Sequence, residues 1–234
     1  MNPFKFKQFS IHHQQTAHKV GTDGVLLGAW TNLDNNPQDI LDIGAGSGLI
    51  ALMMAQRSSA ENIDAIEINA DAFEECVYNF EASPWNDRLF CYHGNVKILA
   101  QEPDLKYDLI VSNPPFFEKT QGSNLNGRDQ ARIQVSLSEE DLLESVQLLH
   151  NKNGEFATIL PYQNHQKFIE KAQMKGLHLS RITHVKGQKQ STFKRSLMQF
   201  GYKRQAYVVN ELVLETSRHH YTEDYKALVK DFYL

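Results

Sequence analysis

The chain has 234 residues, of which 41% are hydrophobic and 22% charged, with a formal net charge of −4 at pH 7. That balance suits one globular α/β domain with additions, long enough to bury its core without disulfide or metal staples. No run approaches the roughly 18 apolar residues of a membrane span, and Met1 to Ser10, where Phe alternates with Lys and Gln, lacks the continuous apolar core of a signal peptide.

Two cysteines, Cys76 and Cys91, are too few for a disulfide framework. They are expected to be small hydrophobes of a protein kept in the reducing cytoplasm. The charge is unevenly spread. Residues 1–21 carry +3, residues 22–150 carry −14, residues 151–204 carry +9 and residues 205–234 carry −2. An acidic body with basic ends is compatible with a nucleic acid touching one face. A Lys-rich solvated surface explains the same numbers.

No internal repeat or low-complexity stretch divides the chain, so residues 1–234 are expected to form one domain with a short basic extension at about 1–21. Asp39 to Ile43 is predicted to be a buried strand, and Leu49 to Gln56 the helix after its glycine turn. Asn62 to Ile68 is a second strand. Asp71 to Glu81 is a helix with Asn69 or Asp71 as its N-cap and Pro84 as its stop. Leu89 to His93 and Tyr107 to Ser112 continue the strands. Leu137 to His150 is an amphipathic helix opened by Ser138-Glu139-Glu140-Asp141. Glu155 to Leu160 is a strand and Gln163 to Met174 a helix ending at Gly176. The rhythm predicts a doubly wound, Rossmann-like, mostly parallel sheet. Leu177 to Val185, Ser196 to Lys203 and Ala206 to Leu214 follow without helices between them, which predicts antiparallel strands finishing the sheet. Thr222 to Phe232 is a last helix.

Leu41-Asp42-Ile43-Gly44-Ala45-Gly46-Ser47-Gly48 lies between a strand and a helix. Glycines there allow a sharp turn and a close ligand, with helix N–H groups behind. By itself this marks a nucleotide-like cofactor. Glu67, about 20 residues on, can take both hydroxyls of a ribose. The spacing is GxGxG rather than GxGxxG, and Asp42 precedes it, which suits a cationic ligand better than a pyrophosphate. Ser112-Asn113-Pro114-Pro115-Phe116 closes the fourth strand of the series, at the edge where such sheets hold ligands.

These residues resemble motif I and the Asn/Asp-Pro-Pro-Tyr/Phe signature of the class I, amino-directed methyltransferases. The resemblance implies S-adenosyl-L-methionine as cofactor, cradled by Gly44, Gly46 and Gly48, with Asp42 near its ammonium and Glu67 on its ribose. Asn95 stands where relatives often carry an Asp for the adenine. It implies catalysis by Asn113, Pro114, Pro115 and Phe116: the Asn113 side-chain oxygen and the Pro114 carbonyl accept the hydrogens of an amine, and Phe116 stacks on an extruded base.

Lys19-Val20-Gly21-Thr22-Asp23-Gly24, with Ser83-Pro84-Trp85 and the ending Asp231-Phe232-Tyr233-Leu234, is similar to the bacterial valine-tRNA adenine-37 N6-methyltransferases. Thr22 and Asp23 would then lie near the methionine end of the cofactor; otherwise they only start a helix after a glycine turn. The substrate implied is tRNA. Arg128 and Arg132, in a polar loop after the signature, and Lys189, Lys194 and Arg195, in a basic connection, are candidate phosphate contacts. The histidines lack metal-ligand spacing, and no metal or obligate protein partner is expected. Another amino substrate for the same chemistry, in rRNA, DNA or a protein glutamine, and a non-catalytic RNA-binding protein remain as alternatives.

Overall fold

The computed structural model describes residues 2–16, 19–115 and 137–233. The alternation of Phe with Lys near the start becomes a hairpin of β1 (Phe4–Lys5) and β2 (Ser10–Ile11). Phe6, Phe9 and Ile11 turn into the core while Lys5 and Lys7 stay exposed. The C-terminal end of the chain closes on this hairpin: Lys7 N donates to Phe232 O at 2.8 Å, and the Phe6 and Tyr233 rings stack at 5.8 Å. The short basic segment at the start of the chain thus includes a hairpin packed on the core.

Next come α1 (Thr22–Trp30), β3 (Asp39–Ile43), α2 (Leu49–Arg57), β4 (Asn62–Glu67), α3 (Ala70–Glu81), β5 (Leu89–His93), α4 (Val96–Leu99) and β6 (Tyr107–Ser112). After the second gap follow α5 (Glu139–Leu149), β7 (His150–Pro161), α6 (His165–Met174), β8 (His178–Lys186), β9 (Arg195–Gly201) and β10 (Val208–Val213). A small hairpin of β11 (Glu215–Ser217) and β12 (His220–Tyr221) precedes α7 (Glu223–Val229).

Among the described residues, eight strands form one sheet in the order β10-β8-β9-β7-β6-β3-β4-β5. β5, β4, β3, β6 and β7 run parallel, and their Ile, Leu and Val runs are buried because helices cover both faces. One apolar cluster joins α1 and α2 to one face, and a second joins α5 and α6 to the other. The expected antiparallel finish is carried by β9, which runs against both β7 and β8. β10 departs from it. It pairs parallel with β8, Val208 beside Arg181, because residues 202–207 carry the chain past the start of β8 to its free edge.

Caps set the helix ends as their chemistry demands. Asn69 and Ser138 accept from the backbone N–H groups of Ala72 and Asp141. β7 begins five residues before the expected start. Gly154 makes this possible: a Cβ there would stand 2.8 Å from Tyr107 O, at the register shift in the β6–β7 ladder.

Candidate active site

Strand register decides which loops meet. Ile43 pairs with both Ile66 and Ser112, and Glu67 pairs with His93. The loops after β3, β4, β5 and β6 therefore share one edge of the sheet. β3 is central: the chain builds β4 and β5 on one side of it and then returns to place β6 on the other, so the crevice between Gly44 and Asn113 lies where the strand order reverses. Ser112 Oγ donates to Ile43 O at 2.9 Å and locks this register at its last rung.

The glycine loop is a tight arch. Gly44 N donates to Ile66 O at 2.9 Å. Gly44, Gly46 and Gly48 have φ of +72°, +56° and +80°, the left-handed region that side chains avoid. Their surroundings differ. A Cβ at Gly44 or Gly46 would meet no atom of the described residues within 4 Å, so among these the space over both is open. A Cβ at Gly48 would stand 2.5 Å from the Phe80 ring and 2.8 Å from Cys76 Sγ, so this glycine serves the packing of α2 on α3.

Two carboxylates flank the arch, Asp42 bound to the first turn of α2 and Glu67 to the arch itself. Asp42 is fully buried, and its Oδ2 accepts from Ala51 N at 3.1 Å while its Oδ1 has no partner among the described residues. Burial, against one backbone hydrogen bond and aided by nearby Glu67, pushes its carboxyl up from 3.8 to about 7. Glu67 accepts from Gly46 N at 2.9 Å through one oxygen and from Asn69 N at 2.8 Å through the other. Asn95 is half-buried and caps α4, accepting from Lys97 N at 2.9 Å. The arrangement offers a cationic group a buried carboxyl that ionises near pH 7, beside the glycine backbone.

Asn113 is half-buried, Pro114 buried and Pro115 exposed at the end of β6. Phe116, Arg128 and Arg132 lie outside the described residues. Thr22 and Asp23 form the first turn of α1. Asp23 Oδ2 accepts from Arg195 Nε at 2.8 Å. Residues expected to serve two different ligands are thus one ion pair, bracing α1 against β9. Lys189 and Lys194 are exposed on the β8–β9 hairpin, which rises from the same sheet edge as Asn113. Phe193 fixes its base, packed against Tyr162 at 5.1 Å and His184 at 5.4 Å.

Sequence reasoning missed the side chains that hold residues 12–16 beside the arch. Glu75 accepts from the backbone N–H groups of Gln14, Gln15 and Thr16, the last at 3.1 Å. Asn79 accepts from His12 N and donates to Ser47 O in the arch itself. The available signal was two polar residues four apart on the buried stripe of α3, where apolar side chains belong.

Residues 22–147, more than half of the chain, match the family model of the methyltransferase small domain. The chain is 51% identical over 231 residues to the tRNA1(Val) (adenine(37)-N6)-methyltransferase of Flavobacterium psychrophilum, covering 99% of each. To the protein of that name from Proteus mirabilis it is 40% identical, over 99% of this chain and 93% of the relative. Among solved structures, one described as a predicted O-methyltransferase from Agrobacterium tumefaciens superposes with a TM-score of 0.67 at 18% identity, over 90% of this chain and 96% of that one. A methyltransferase from Pyrococcus furiosus gives 0.58 at 22% identity, over 82% and 88%. At such identities these structures show a shared fold.

Proposed function

The chain belongs to the methyltransferase small domain family and shares nearly its full length with tRNA1(Val) (adenine(37)-N6)-methyltransferases; on that premise we propose how its residues methylate N6 of an adenine in tRNA, adenine 37 of the valine tRNA anticodon loop. S-adenosyl-L-methionine supplies the electrophilic methyl group. The residues present fit it: the open backbone at Gly44 and Gly46 leaves room for the methionine part, and the unpartnered Asp42 Oδ1 calls for a cationic donor such as its ammonium. Glu67 and Asn95 would hold the ribose and adenine, and Thr22 and Asp23 would close the methionine end.

An exocyclic amine is a poor nucleophile because its lone pair is delocalised into the ring. Asn113 Oδ1 and the Pro114 carbonyl accept its two hydrogens and turn the lone pair outward, toward the arch. This is orientation plus electrostatic preorganisation, in a position already half-removed from water. A purine in an anticodon loop is only partly stacked, so extruding it costs less than opening a duplex.

The observation that carries this reading is the Ile43–Ser112 rung, which sets Asn113-Pro114-Pro115 beside the glycine arch. Asn113→Ala is expected to bind S-adenosyl-L-methionine within a few-fold of wild type while methyl transfer falls by at least about a hundred-fold, the range for removing one preorganised hydrogen-bonding group. Calorimetry and single-turnover assays on tRNA check both. Turnover within a few-fold of wild type would make Asn113 a structural residue. Mass spectrometry of tRNA from cells with and without the protein identifies the modified nucleoside.

A further inference from the structure

A cavity of about 1070 Å³ opens between the N-terminal hairpin and α7. Lys5 and Lys7 line one side, and Lys226 and Lys230 the other. All four are exposed. Among the described residues, Glu215 is the one acid lining it. Lys7 donates to Lys230 O across the groove, which ties its two walls together. Lys226 pairs with Glu223, but at 56% and 88% side-chain exposure such a pair is weak and yields readily to another anion.

Rings alternate with these ammonium groups. Phe4 and Tyr221 line the groove and are 36% and 46% exposed. The groove also reaches Thr22 and Gly187. Thr22 begins α1, and Gly187 begins the hairpin that carries Lys189 and Lys194 above the sheet edge. It is therefore a track that ends at the active-site edge.

We propose that this groove, lined by Lys5, Lys7, Lys226 and Lys230, binds a strand of the tRNA substrate outside the target nucleotide through its phosphates. The inference rests on the tRNA reading above. Charge complementarity supports it: residues 22–150, net −14, repel a polyanion, so an RNA long enough to leave the pocket must run where cations face it. The track joins lysines from the two ends of the chain, including two from a segment whose own net charge is negative.

The test is the salt dependence of tRNA binding by the full chain carrying Lys5→Gln, Lys226→Gln and Lys230→Gln; Lys7 is left intact because its side chain joins the walls. Each lysine–phosphate pairing removed lowers the slope of log K against log salt by about one unit, so the expected decrease is about two to three. S-adenosyl-L-methionine affinity and the methylation rate at saturating tRNA should match wild type. The triple Lys→Arg variant should keep the wild-type slope, separating charge from folding effects. A triple Gln variant with a wild-type slope overturns the proposal. If the wild-type protein neither binds nor methylates tRNA, the tRNA reading itself fails; if it methylates tRNA and the slope is unchanged, only the groove fails.

Discussion

Asp42 carries the least comfortable atom of the site, a fully buried carboxyl oxygen without a donor among the described residues. Its carboxyl, raised to about 7 in the fold, holds a proton that the unfolded chain, at 3.8, gives up. Its contribution to stability is thus fully present below about 3.8 and is lost as pH rises through 7. One pKa unit corresponds to about 1.4 kcal/mol, so the loss across this window is at most about 4 kcal/mol. Asp42→Asn removes that dependence. The variant should gain stability relative to wild type between pH 4 and pH 8, which urea titrations at both pH values measure; a constant difference would mean that Asp42 is charged throughout. A cationic ligand favours the ionised form, so S-adenosyl-L-methionine should bind wild type more tightly as pH rises through 7, and Asp42→Asn should show a flatter profile.

Elements are placed by contacts that no residue makes alone. α1 begins with Thr22 and Asp23, proposed above to close the methionine end, and its position depends on how closely it approaches α2. A Cβ at Gly28 would stand 2.5 Å from Met53 Sδ and 3.0 Å from Met53 Cβ, and Met53 is fully buried. Arg57 of α2 also donates to the Gly28 and Thr31 carbonyls at 2.7 and 2.9 Å, capping α1 from outside. Two effects compete on substitution. Replacing a helical glycine gains up to about 1 kcal/mol in propensity, whereas overpacking a filled contact costs about 1–3 kcal/mol. The contact wins for a branched side chain, because Met53 is buried and its Cβ, which cannot swing away as its end can, already stands at 3.0 Å. Gly28→Val should lower the melting temperature by several degrees, at about 2–4 °C per kcal/mol for a chain of this size. Scanning calorimetry checks it, and an unchanged or higher value would show that the helices can part without cost.

At the scale of the whole molecule the question is how an acidic body holds a polyanion. The β8–β9 hairpin presents Lys189 and Lys194 over the edge that bears Asn113, while Arg195 is occupied by Asp23. Neighbouring basic residues are thus placed differently: Lys189 and Lys194 face solvent, while Arg195 is held by Asp23. Lys189→Gln with Lys194→Gln should weaken tRNA binding and reduce its salt slope by about one unit per phosphate released, with cofactor affinity unchanged. Arg195→Gln should instead loosen α1 and raise the Kd for S-adenosyl-L-methionine through Asp23. Fluorescence anisotropy across a salt series, with calorimetry for the cofactor, separates the two; equal effects of the two variants on both ligands would contradict this division.

The sequence alone determined what local forces determine. The strands from Asp39, Leu89 and Tyr107 run where their apolar runs put them, the caps at Asn69 and Ser138 form, and the glycines of the arch adopt the positive φ their spacing announces. Each depends on a few residues near in sequence, so periodicity and side-chain size suffice to read it. The tertiary structure decided what depends on distant partners. Nothing local tells that Gly48 serves packing while Gly44 and Gly46 face open space, that Glu75 and Asn79 hold residues 12–16, or that Arg195 spends its charge on Asp23, 172 positions away. Nor does any local pattern set β10 parallel to β8 or bring Lys5 opposite Lys230. These are properties of register and closure, in which the partner is chosen by the whole sheet rather than by the residue's neighbours in the chain.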